Sequence, residues 1–104
     1  MFSKNISKLI TTTIGERREA LAHKSFDDLT QLPNLSSEVL SFERTKVTIS
    51  VWHDVLPSRD HRVVVQAYKP GFLGLWGRMY VDGFVINART EKRKLTPEER
   101  TPFS

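Results

Sequence analysis

Residues 75–89 read LWGRMYVDGFVINAR, and the fold turns on how Asp82-Gly83 inside them is read. Two apolar, β-type runs flank an Asp-Gly pair, the pattern of a two-residue type I′ hairpin in which both central residues need positive φ. The stretch therefore predicts two strands joined at 82–83. Val81 would face Phe84 and Met79 would face Ile86, giving an inward set of Leu75, Met79, Val81, Phe84 and Ile86.

Period two continues upstream. Val47, Ile49 and Val51 alternate with Lys46, Thr48, Ser50 and Trp52, and Val63, Val65 and Ala67 alternate with Arg62, Val64, Gln66 and Tyr68. Pro57 and Ser58 supply the turn between these strands, and KPGFLG makes the next connection. Residues 33–44 read as a polar connector with room for one helical turn at 37–42.

The first third has helical spacing. Ile6, Leu9, Ile10 and Ile14, then Leu21, Ala22, Phe26, Leu29 and Leu32, trace one apolar stripe. Thr13 with Glu16 has the form of a capping box, and three threonines before Gly15 are poor helix interior, which predicts a break at 13–15. Pro33 sets the end near Leu32. At the other end Thr96, Pro97 and Glu99 form a helix start that Pro102 cuts short. The expected fold is α+β, with one or two N-terminal helices packed on a four-stranded antiparallel β-meander. Residues 1–90 would form a single domain and 91–104 a short helix or flexible tail.

Composition fits a chain that folds: 104 residues, 38% hydrophobic and 27% charged. With no cysteine there is no disulfide framework, thiolate metal site or cysteine nucleophile, and a cytoplasmic setting is the default expectation. No apolar run reaches membrane-span length. Residues 1–15 lack acids, as mitochondrial presequences do, but carry no arginine and are read as part of the fold. The net charge is +4, and all of the excess lies after residue 45, half of it in residues 89–104. Such a balance permits nucleic-acid binding without requiring it.

If odd residues of the first two strands face the core, the opposite face collects every Trp and Tyr: Trp52, Tyr68, Trp76 and Tyr80, with Arg62, Arg78, Arg89 and Lys46 among them. Aromatic planes stack on bases and arginines engage phosphates, so the leading expectation is a non-enzymatic binding protein for single-stranded RNA or DNA. The arrangement is similar to that of sheet-surface RNA-recognition modules. Neither signature motif of that family is present and the connectivity differs, so no residue roles carry over. Trp, Tyr and Arg also dominate protein interfaces, so a protein partner or a homodimer on the same face is the alternative. GLWGRMYVDGFVI looks like the late strands of small basic bacterial ribonuclease toxins. That resemblance supports a second alternative, a small ribonuclease toxin-like protein; independently of it, His61, Arg78 and Tyr80 are residue types able to perform acid/base chemistry on RNA.

His53 and His61 share parity across the LPSRD turn and are expected near each other on the core-side edge. Two histidines without a third placed ligand do not make a zinc site. No phosphate-loop or dinucleotide-binding glycine pattern is present, and no cofactor or metal is implied.

Overall fold

The two-residue turn with positive φ lies at Glu43-Arg44, not at Asp82-Gly83. Glu43 and Arg44 take φ of 49° and 76°, and Phe42 pairs with Thr45 across them. A type I′ hairpin demands this pair of conformations, whatever residues supply them. The computed structural model describes residues 2–71 and 77–104. In it the stretch expected to be a connector is a strand, and the sheet has five strands rather than four.

The elements are helix α1 (Phe2–Ala22), helix α2 (Phe26–Thr30), strands β1 (Leu35–Phe42), β2 (Thr45–Val55), β3 (His61–Lys69), β4 (Arg78–Ile86) and β5 (Lys92–Lys94), then helix α3 (Pro97–Arg100) and a 3-10 turn (Thr101–Phe103). The strands lie in the order β1-β2-β3-β4-β5, all antiparallel, so the meander is as expected in kind. None of the described helices is long and apolar enough to cross a membrane.

Asp82 and Gly83 sit inside β4, opposite Val65 and Val64. Neither has positive φ. Gly83 is needed there for a different reason: a Cβ would stand 2.4 Å from the Val63 carbonyl oxygen and 3.1 Å from Leu95 Cδ1. Glycine lets two backbones and a crossing side chain meet, the second common reason for glycine in a strand. With no turn, parity runs unbroken through β4. Phe84 and Ile86 keep the inward face, but Met79 and Val81 turn outward, while Tyr80 and Asp82 turn inward.

The inward face carries the core. Ile6, Ile10 and Ile14 of α1 pack on Val47, Ile49, Val65 and Ala67, and Leu29 of α2 packs on Val63, Phe84 and Ile86. Odd residues pair with odd ones between β2 and β3, as with Ile49 opposite Ala67 and Val51 opposite Val65. Polar contacts fix α1 along the sheet: Ser7 to Tyr80 at 2.8 Å, Arg18 to Asp82 at 3.0 Å, and Arg17 to Glu38. Leu9, included in the apolar stripe, is exposed.

The expected break at residues 13–15 is absent. Thr11 and Thr13 satisfy their hydroxyls on the Ser7 and Leu9 carbonyls four residues back, and the buried isoleucine stripe outweighs low local propensity. The helix breaks instead at 23–25, where Ser25 caps α2 by accepting from the Asp28 N–H. Pro33 follows soon after.

Two substitutions separate the glycine requirements. Gly83→Ala should lower stability by about 1–3 kcal/mol through overpacking against β3. Arg44→Gly should raise it by about 1 kcal/mol by relieving a non-glycine residue of positive φ. Urea unfolding of the two variants checks both signs; the reverse pair would move the turn back to Asp82-Gly83.

Candidate functional site

Even residues of β2 and β3 share the outer face of the sheet, and the register lines them up in rows. Asp54, Arg62, Val85 and Arg93 form one row; Leu35, Trp52, Val64 and Gly83 the next; Ser37, Ser50, Gln66 and Val81 a third; Val39, Thr48, Tyr68 and Met79 a fourth. The face divides between the second and third rows.

Over β2 and β3 the first half is covered by the chain's own C-terminal segment, while Leu35 at its β1 end is exposed. The Phe103 ring lies 5.6 Å from that of Trp52 and 4.9 Å from the Arg62 guanidinium, and Phe103 is buried. Gln66 accepts from the Trp52 indole N–H and donates to the Phe103 carbonyl. Arg62 donates to the Glu99 carbonyl and forks onto Asp54, which raises its pKa further. Arg93 grips both Glu99 oxygens at 2.7 Å, and the Thr96 N–H adds a third bond. These bonds, led by that from Arg93, hold the Glu99 carboxyl down at about 2. The Thr96 capping box is formed. Val64 and Val85 are buried although they lie on this outer face.

The predicted site residues therefore scatter. Trp52 and Arg62 do share the outer face, but as the seat of Phe103. Tyr68 is on the open half, 37% exposed, with its ring against the Gly77 backbone. Tyr80 and Arg78 belong to the inward parity because β4 is continuous, and Tyr80 is hydrogen-bonded to Ser7. Lys46 is exposed at the start of β2 and Arg89 is exposed in the turn before β5. Trp76, with Phe72, Leu73 and Leu75, lies outside the described residues. His61 and Arg78 stand at opposite ends of the β3–β4 pair, since Arg78 faces Lys69. That is eight steps along β3, roughly 27 Å, so the set of His61, Arg78 and Tyr80 is not brought together.

What sequence reading missed is a groove of about 840 Å³ between the end of α1 and the C-terminal segment. Arg18 and Glu19 form one wall; Lys92, Lys94, Leu95, Pro97 and Arg100 the other; Asp82, Gly83 and Phe84 the floor, with Arg93 beside them. Five cations meet two carboxylates there. Arg18 is paired with Glu19 and Asp82, and Arg93 with Glu99, whereas no ion pair involves Lys92, Lys94 or Arg100 among the described residues. The charge run EKRK was the available signal, but which face it would line depends on β5 and on the docked tail.

The two histidines meet as expected. His53 Nε2 and His61 Nδ1 are 2.7 Å apart, the rings stack at 5.0 Å, and Phe26 closes edge-on over His61. The Leu32 carbonyl, 3.0 Å from His53 Nδ1, can only accept. His53 therefore donates there and, when neutral, accepts from His61 through Nε2. Burial, with His53 as a second cause, pushes the His61 pKa below the usual histidine value, against an opposing pull from Asp60. Among the described residues no group of three or more His, Cys, Asp or Glu could hold a metal ion.

Phe103→Ala should cost about 3 kcal/mol, near the low end for losing a buried phenylalanine, and should red-shift tryptophan emission by wetting Trp52. Emission and stability left unchanged would mean that the tail does not dock. The His61 shift sets a sign for pH: below about 6.5 the unfolded chain takes up a proton that the folded imidazole resists. The contribution of His61 to stability should be full above that pH and fall as pH drops below it, and His61→Gln should flatten the slope; urea midpoints on both sides of that pH test it. No protein-family model, curated protein or solved structure matches the chain, so its function rests on these surfaces.

Proposed function

We propose that the chain is a non-enzymatic binding protein for single-stranded nucleic acid, with the phosphate backbone held in the groove between α1 and the C-terminal segment. The observation that carries this reading is the gathering of Lys92, Lys94 and Arg100 on one wall without carboxylate partners among the described residues. Cations that spend no charge internally release counterions when phosphates replace them, the main source of sequence-independent affinity. A walled trough suits a single flexible chain better than a duplex. Of the residues predicted from sequence, Arg89 stands in the turn leading into β5 and would extend the basic wall. Trp52 and Arg62 act indirectly, by seating the segment that carries Arg100.

A second reading has its own support. The fourth row of the outer face, Val39, Thr48, Tyr68 and Met79, is free of charge, and three of its members are exposed: Val39 at 61%, Met79 at 44% and Tyr68 at 37%. Such a strip suits a protein surface, with Lys46 at its margin.

Anisotropy of a labelled single-stranded oligonucleotide, titrated at several salt concentrations, tests the first reading. Three phosphate contacts on a single strand give a slope of log K against log salt of about −2. The variant Lys92→Ala/Lys94→Ala/Arg100→Ala should lose binding while keeping its melting temperature. Equal affinity for wild type and variant, or binding indifferent to salt, would count against the groove.

A further inference from the structure

The two edges of the sheet are built differently. β5 is three residues long and reads Lys-Arg-Lys, the short and charged form that discourages pairing with another chain. β1, at the other edge, is eight residues long and reads LSSEVLSF, with no lysine, arginine or proline. Its outer side has no backbone partner among the described residues. Its one charge, Glu38, is neutralised by Arg17 of the same chain. An edge of this kind lacks every common device against strand addition except the carboxylate, and Arg17 cancels that.

We infer that β1 is a homodimer interface, pairing antiparallel with β1 of a second copy to join two sheets into one of ten strands. The occupant follows from charge and register. A bare, electrically neutral edge repels neither itself nor its twin, whereas a two-fold axis through a charged residue would. Residues opposite each other in an antiparallel pair must share a face, so odd residues meet odd and even meet even. An axis at Glu38 would set the two carboxylates directly opposite, which is unfavourable. An axis at Val39 sets Val39 against Val39 of the second copy, Ser37 against Ser41, and Glu38 against Leu40. It also joins the row Val39, Thr48, Tyr68 and Met79 to its twin, giving one uncharged strip across eight strands of the joined outer face. The Val39 register is the one assigned.

Sedimentation velocity over rising protein concentration, with two variants, tests the interface. Wild type should shift from monomer to dimer. Val39→Lys places two ammonium groups across the axis on an exposed position and should weaken the dimer by roughly tenfold or more, with the monomer's melting temperature kept. Because the chain has no cysteine, Val39→Cys gives an independent check. It should cross-link to its own copy on mild oxidation, and Thr48→Cys, one strand away in the same row, should not. A wild type that stays monomeric throughout, a Val39→Lys variant that dimerises as wild type does, or cross-linking no faster at 39 than at 48 would each overturn the proposal.

Discussion

The close approach of the Gly83 backbone to Val63 and Val64 sets the terms for the rest of the molecule. Because no side chain intervenes, β4 runs straight through Asp82-Gly83 and stays paired with β3 from Arg78 to Ile86. Continuity keeps a single parity along the strand. Asp82 is thereby turned inward to hold Arg18, and Tyr80 to meet Ser7, so α1 is fixed along the face that its isoleucines cover. The same continuity brings the chain to β5 and lets Leu95 cross over the bare glycine. From there the C-terminal segment reaches the outer face.

That segment determines what the outer face can be. An aromatic and arginine-rich sheet surface is chemically suited to nucleic-acid bases, to protein partners and to the protein's own tail. Here Phe103 takes the seat between Trp52 and Arg62, and Arg62 is further committed to Asp54 and to the Glu99 carbonyl. A guanidinium with these bonds has little left for an outside phosphate. Cations with no ion pair among the described residues line the groove that the docked segment completes. The third and fourth rows of the face carry no charge. One docking event thus separates a basic trough from an uncharged strip.

Much of this was legible in the sequence, wherever a single local rule decided the outcome. Period two in residues 46–52 and 62–68 fixed which residues of β2 and β3 face the core, parity alone brought His53 and His61 together, and the Thr96 box marked a real helix start. The misreadings share one cause: a local signal outweighed by packing. Asp-Gly is the favoured pair for a type I′ turn, yet Glu43-Arg44 makes that turn, and the strand partner β2 holds it there at the expense of two positive φ values. LSSEVLSF is too polar to resemble a core strand because, as an edge, it buries little; only Leu40 and Phe42 pack against the core. The groove depends on residues far apart in the chain, Arg18 and Lys92 to Arg100, and no spacing rule joins them.

The most direct test of this architecture is a set of cross-strand nuclear Overhauser contacts around Gly83. A continuous β4 predicts contacts of Gly83 with Val64, Asp82 with Val65 and Phe84 with Lys94, with Glu43-Arg44 forming the tight turn. Contacts of Val81 with Phe84 and Met79 with Ile86 would instead place a hairpin at Asp82-Gly83. They would reverse the faces of residues 78–81 and remove the groove floor, and with it the site.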